Sequence, residues 1–127
     1  MSRRILPAEV VAAYRATGVR PARGTLAQRD ETGEIAACCG IGVLYLHVVG
    51  AEAVSEQADS GFGIDDAVVM KTLGVSMDYY YGFQTGFDGR EPGMGTGPDL
   101  VDGMIDGAVA WMIAAPLRQQ RRGHMED

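Results

Sequence analysis

Two predicted helices in the second half of this chain each carry a pair of glycines four residues apart. Gly82 and Gly86 belong to the first helix, and Gly103 and Gly107 belong to the second. A glycine inside a helix costs up to about 1 kcal/mol relative to alanine, so four such residues indicate that backbones approach closely there. The glycines therefore predict two helix-contact positions, which meet either each other within one chain or a second copy across a dimer axis.

Large apolar residues share these two glycine-bearing faces at helical spacing, and the same kind of pattern defines the other elements. The sequence predicts helices over 7–17, 39–49, 52–58, from Asp65 or Asp66 to Leu73, over 77–87, and from Asp99 to a kink or end at Pro116. Segments 25–28 and 34–37 flank a turn and favour a short β-hairpin, with an irregular loop as the alternative. The expected fold is mainly α with a short β-hairpin, a compact single-layer helical domain around the central apolar helix 39–49.

The length of 127 residues is typical of one domain that can bury its own core. We expect a single domain over 1–127, with ends at 1–5 and 118–127 that fray. The sequence indicates no cofactor.

The charges of the chain are strongly segregated. Residues 1–30 carry six arginines against two acids, a balance of +4, whereas residues 31–117 carry 13 acids against Lys71 and Arg90, a balance of −11. The basic segment can dock on the acidic body or meet an external polyanion. A net charge of −6 makes a nucleic-acid partner unlikely, because that affinity grows with the number of phosphates that a basic surface neutralises.

Cys38 and Cys39 are the only cysteines, and they stand where the central helix begins. A thiol at a helix N-terminus can be acidified, so Cys39 is the candidate catalytic residue. The nearest histidine along this helix, His47, is eight residues or roughly 12 Å away, too far to serve as a base. Adjacent cysteines also lack the spacing of a zinc site or a relaxed disulfide. We therefore expect two free thiols in a packed helix entry and no metal site.

A polar surface on the last two long helices is the candidate binding surface. Tyr80, Tyr81 and Gln84 lie off the Phe83 stripe, which favours exposure, and exposed tyrosines are enriched in binding hot spots. The alternative, which is the commoner arrangement, is that the tyrosine rings pack along a neighbouring helix. Asp99, Asp102 and Asp106 share one face of the last helix. A solvated face is the main interpretation of these acids, with cation binding or acid–base chemistry as the alternatives. Asp102 and Asp106 complete the predicted acidic, tyrosine-bearing surface.

No secretory signal or membrane segment is predicted. Pro7, Glu9 and Arg15 interrupt any apolar region behind Arg3 and Arg4, and the longest apolar run, 35–51, is shorter than the roughly 20 residues that a membrane helix needs. We expect a cytoplasmic protein with reduced thiols and no membrane partner.

Residues 21–50 resemble a group of small phage and bacterial proteins of unassigned function. The resemblance rests on Gly24-Thr25-Leu26 and, after the turn, Cys38-Cys39-Gly40-Ile41-Gly42-Val43-Leu44, which is similar to a Gly-x-Leu segment followed by Cys-Cys-Leu-Gly-Val-Leu. The chain departs from that pattern at Gly40, where the group has leucine. The resemblance implies an accessory protein of a phage or mobile element and no particular reaction.

The function hypothesis from sequence is a non-enzymatic interaction or regulatory protein, phage or bacterial. Its predicted partner is a protein or a second copy of itself, bound through the acidic, tyrosine-bearing helical surface. The alternative is a thiol-dependent enzyme or redox sensor that uses Cys39.

Overall fold

The structure is a computed structural model, and it describes residues 3–61, 63–91, 93, 95 and 97–119. The prediction of a mainly α fold with a small β component around a central helix is confirmed. The helices are α1 (Pro7–Thr17), α2 (Gly40–Val49), α3 (Ala51–Ala58), α4 (Asp66–Leu73), α5 (Met77–Asp88) and α6 (Gly97–Ala114). The strands are β1 (Arg20–Pro21), β2 (Gln28–Arg29) and β3 (Ile35–Cys38), and a 3-10 turn over Ala115–Gln119 follows α6.

Helix α2 lies at the centre of the fold. Its residues are buried from Gly40 to Leu46, in agreement with an apolar sequence that offers no polar face. Cys39 is the N-cap, so the helix begins at Gly40, one residue after the predicted start, and the Cys39 Sγ accepts a hydrogen bond of 3.4 Å from the Gly42 N–H. Gly42 must be a glycine, because a Cβ there would lie 1.8 Å from the Leu26 carbonyl oxygen.

The sheet contains the predicted hairpin and one further strand. β2 pairs antiparallel with β3, and the Asp30 carboxylate holds the turn by accepting from the backbone N–H groups of Thr32 and Glu34. β1 pairs parallel with the other side of β3, which gives the strand order β1-β3-β2. The sequence pattern missed β1, because a strand of two residues that includes Pro21 has no periodicity to detect.

Helices α5 and α6 pack backbone to backbone on their glycines. A Cβ on Gly82 would lie 2.3 Å from the Leu100 oxygen, and one on Gly86 would lie 2.1 Å from the Met104 oxygen. The glycines of α6 contact α5 in the same way, because a Cβ on Gly107 would lie 2.1 Å from the Phe83 oxygen. The predicted contact positions therefore meet each other within one chain, which settles the choice between that arrangement and a dimer axis.

Caps and breakers fall close to their predicted positions. Asp65 caps α4 and Gly74 ends it in the left-handed region at φ 72°. Ser76 caps α5 by accepting a hydrogen bond from the Tyr79 N–H. The α-helical part of α6 ends at Ala114, two residues before Pro116, as a proline that cannot donate a hydrogen bond requires.

Residues 3–6 form a segment that we call the N-terminal strap, and it contacts helices α1, α4, α5 and α6. Arg3 Nε donates to the Leu73 oxygen at 2.8 Å, and the Ile5 N–H donates to the Tyr79 hydroxyl at 2.7 Å. Ile5 is 1% exposed. Residues 3–5 are thus held to the body of the protein, although the ends 1–5 and 118–127 were expected to fray. Residues 1–2 and 120–127 of these ends lie outside the described residues.

Candidate functional site

Cys39, the candidate catalytic residue, is a buried thiol. It is 3% exposed, and Cys38 beside it is fully buried. Burial raises the pKa of the Cys39 thiol to about 12, and the hydrogen bond from the Gly42 N–H only partly opposes this. The sulfur is therefore protonated near neutral pH, which is the unreactive form of a cysteine. Both cysteines are free thiols, as the sequence predicted.

A cleft of about 470 Å³ opens beside Cys39, between the loop over 24–27 and the side of α5. Its main charged group is Asp88, whose side chain is 7% exposed. The Asp88 carboxylate accepts from the Gly24 N–H at 2.9 Å and pairs with Arg90 at 3.0 Å. Because Arg90 and the Gly24 N–H hold this carboxylate, the described residues that line the cleft present no free acid or base next to the thiol.

Neither a base nor a metal site accompanies Cys39 in the described part of the chain. His47 is exposed near the far end of α2. Among the described residues no three His, Cys, Asp or Glu side chains are grouped so that they could hold a metal ion. The geometry at Cys39 thus favours packing over thiolate chemistry.

The prediction that Tyr80 is exposed is wrong. Tyr80 is fully buried, and its hydroxyl donates to the Asp66 carboxylate on α4. Burial, together with this hydrogen bond, raises the pKa of the Tyr80 hydroxyl above its usual range. Tyr81 and Gln84 are partly buried, and the Tyr81 ring stands edge-on to Tyr80 with 5.5 Å between centroids. The error has a physical cause: α5 is covered by neighbours on more than the Phe83 face.

The predicted acidic surface at Asp102 and Asp106 is occupied by the N-terminal strap. Arg4 forms a bidentate contact with Asp106, with distances of 2.9 and 2.7 Å, and its Nη1 lies 3.6 Å from Asp102. The Tyr79 hydroxyl donates to the same Asp106 carboxylate at 2.6 Å. Burial raises the pKa of Asp106, but the hydrogen bonds from Arg4 and Tyr79 outweigh it and leave the pKa below its usual value.

Other arginines of the basic segment also bind the body of the chain. Arg23 donates to the Phe87 oxygen at 2.9 Å and lies 4.2 Å from the centre of the Trp111 ring. Arg29 pairs with Asp59 at 2.8 Å. The basic segment therefore docks on the acidic body of the same chain, which is one of the two arrangements that the charge segregation predicted.

The side of α6 that faces away from α5 exposes a row of large apolar residues. We call it the outer face, and it consists of Val101, Ile105, Ala108, Val109, Met112 and Ile113. Met112 is 72% exposed, and Val101 and Ile105 are 53% and 52% exposed. Ile113 and Val109 are 50% and 37% exposed. These residues form an apolar stripe over about four helical turns, and the described part of the chain leaves it exposed.

Sequence reasoning missed this outer face, although a signal was present. Val101, Ile105, Ala108 and Met112 recur at i, i+4, i+7 and i+11, which is a second helical stripe beside the one that carries the glycines. A helix that is apolar on two sides is buried on both of them or lies in a membrane. Gly97–Arg118 is also long and apolar enough to cross a membrane by length and composition alone, a test that the core helix of a soluble protein can pass. Within its apolar 18-residue window, 28% of the residues are buried.

Comparison of the chain with protein-family models, curated proteins and solved structures found no match. The resemblance of residues 21–50 to small phage and bacterial proteins therefore stays a prediction.

Proposed function

We propose that this chain is a non-enzymatic interaction protein that binds another polypeptide through the outer face of α6. The observation that supports the proposal is the exposure of the five large apolar residues of this face, each between 37% and 72% exposed. A contiguous apolar patch of this kind is often a functional contact surface, whereas apolar residues scattered singly over a surface are ordinary. The surface differs from the acidic, tyrosine-bearing one expected from sequence, because Tyr80 is buried and Arg4 occupies Asp106.

The size of the face is consistent with a specific contact. With Ala108 and the stems of flanking side chains, the stripe amounts to on the order of 500 Å² of apolar surface. Covering it contributes on the order of 10 kcal/mol of gross transfer free energy. That gain is comparable with the roughly 4–15 kcal/mol that association costs in lost freedom of motion.

The rigidity of α6 also supports a docking role. Its inner face is fixed by the glycine contacts to α5, and one flank is tied to the strap through Arg4 and Asp106. The outer residues are therefore presented on a preorganised element, which lowers the ordering cost of binding. The thiol alternative finds less support, because Cys39 is buried and its pKa is raised.

Site-specific photo-cross-linking in cells tests this function. The full chain carries p-benzoylphenylalanine at Ile105 or Met112, and a matched control carries it at Val48, which is 60% exposed on α2. We expect a polypeptide adduct from positions 105 and 112 and none from 48. The adduct from 112 should disappear when Val109→Glu is added, since a charge in the stripe opposes burial.

Equal adducts from all three positions, adducts with lipid alone, or no adduct from α6 would refute polypeptide binding by the outer face.

A further inference from the structure

We propose that the partner of the outer face is a second copy of this chain, bound with the two α6 helices antiparallel about a two-fold axis. The inference rests on the proposed function and names the occupant of the same surface. A two-fold contact is isologous: the same stripe serves both copies, and no second complementary surface is needed. The stripe has that self-complementary composition, because it consists of Val, Ile, Met and Ala throughout.

The area of the face fits a small dimer. Two copies of a stripe of on the order of 500 Å² bury about 1,000 Å² in total, which is near the lower limit for a specific interface. We therefore expect a reversible dimer with a dissociation constant in about the micromolar range. The apolar residues between 101 and 113 are centred on position 107, so the axis passes over the middle of α6.

Charge selects the antiparallel orientation. The first ten residues of α6 carry Asp99, Asp102 and Asp106, the last two beside Arg4, whereas Arg118 stands just beyond its C-terminal end. Asp102 remains 39% exposed in its contact with Arg4. A parallel pair would place the acidic halves of both helices side by side, and like charges at short range repel. An antiparallel pair about position 107 instead brings Arg118 of each copy towards the acidic first turns of the other.

The helix dipoles favour the same orientation. Antiparallel neighbours place the partial positive N-terminus of one helix beside the partial negative C-terminus of the other. In this register Val101 lies across from Ile113 of the second copy, and Ile105 lies across from Val109. The axis thus predicts which pairs of positions come into contact.

Disulfide trapping with single cysteines tests the orientation. One full-length, tagged chain carries Val101→Cys and an untagged chain carries Ile113→Cys, and the mixture is oxidised briefly with copper phenanthroline. The native Cys38 and Cys39 are buried at 0% and 3% exposure, and the unsubstituted chain measures their background. We expect the mixed 101–113 disulfide at least fivefold above the 101–101 and 113–113 products. Val48→Cys mixed with Val101→Cys is the matched control and should give only background.

Each other outcome overturns the inference. Dominant 101–101 and 113–113 products would mean a parallel pair. The absence of any trapped dimer, while photo-cross-linking still yields a polypeptide adduct, would mean a different protein partner and would leave the proposed function standing. Flotation of the purified chain with phosphatidylcholine–phosphatidylglycerol vesicles, with no trapped dimer, would mean that a membrane covers the stripe.

Discussion

Replacing Gly107 with alanine tests the backbone contact between α5 and α6. The added Cβ would lie 2.1 Å from the Phe83 oxygen and 2.8 Å from the Phe87 nitrogen. An ordinary contact between carbon and oxygen is about 3.3 Å or longer, so the helices must separate by about 1 Å. Both opposing atoms belong to the backbone of α5 and cannot rotate away as a side chain would.

Two opposing free energies decide the sign of this change. Alanine is the better helix former, which stabilises the folded state by up to about 1 kcal/mol. Overpacking of a fixed core costs about 1–3 kcal/mol or more, and a rigid displacement of about 1 Å belongs at the upper end of that range. We therefore expect Gly107→Ala to lower the free energy of unfolding by about 2 kcal/mol.

Urea unfolding followed by circular dichroism measures the effect. With a slope of about 1–3 kcal/mol/M, the midpoint should fall by about 1 M. Gly93→Ala is the control, because no atom of the residues that the structure describes lies within 4 Å of its added Cβ, and it should leave the midpoint nearly unchanged. A Gly107→Ala protein that unfolds at the same or a higher urea concentration would refute the close contact.

Three further predictions concern the centre of the fold, the thiol and the strap. Gly42→Ala should lower the urea midpoint more than Gly107→Ala does, because its Cβ would lie only 1.8 Å from the Leu26 oxygen; an equal or smaller loss would contradict that packing. Cys39, with its pKa raised to about 12, should resist iodoacetamide at pH 7 until urea unfolds the chain, and fast labelling of the native protein would show a reactive thiolate. The pKa of Asp106 is lower in the folded state than the unfolded value of about 3.9, so its contribution to stability is complete above that value and is lost as pH falls through the folded pKa. Asp106→Asn should therefore flatten the fall of the urea midpoint as the pH drops below about 4, and profiles that run parallel to the wild type would refute the contact with Arg4.

The helices could be predicted from sequence because their signals are local. Pro7, Ser76 and Gly74 act within one turn of the chain, and each marks a helix end in the structure. The glycine pairs also identified a contact, because glycine in mid-helix has few reasons other than close approach. Which surface the glycines would meet depended on the path of the chain between α5 and α6, and no local pattern contains that information.

The surface residues were harder to predict, because exposure is a property of the whole fold. Tyr80 directly follows the buried Tyr79 in the sequence. Its own burial depends on the tertiary fold, which places α4 and its Asp66 against the Tyr80 hydroxyl. From the sequence alone, Asp106 has the pattern of a solvated acid, because its partner Arg4 is 102 residues away along the chain. The outer face of α6 could have been found from its spacing, but the sequence does not reveal which of two apolar stripes the chain itself covers.

The molar mass of the purified chain in solution tests the account most directly. Sedimentation equilibrium over a concentration series from about 1 to 200 µM should show the mass rise from one chain to two, as a micromolar dimer requires. Ile105→Glu should hold the mass at one chain throughout, and Val48→Glu, on α2, should behave as the wild type does. A wild-type chain that stays at the mass of one copy up to 200 µM, with Ile105→Glu indistinguishable from it, would contradict self-association through α6.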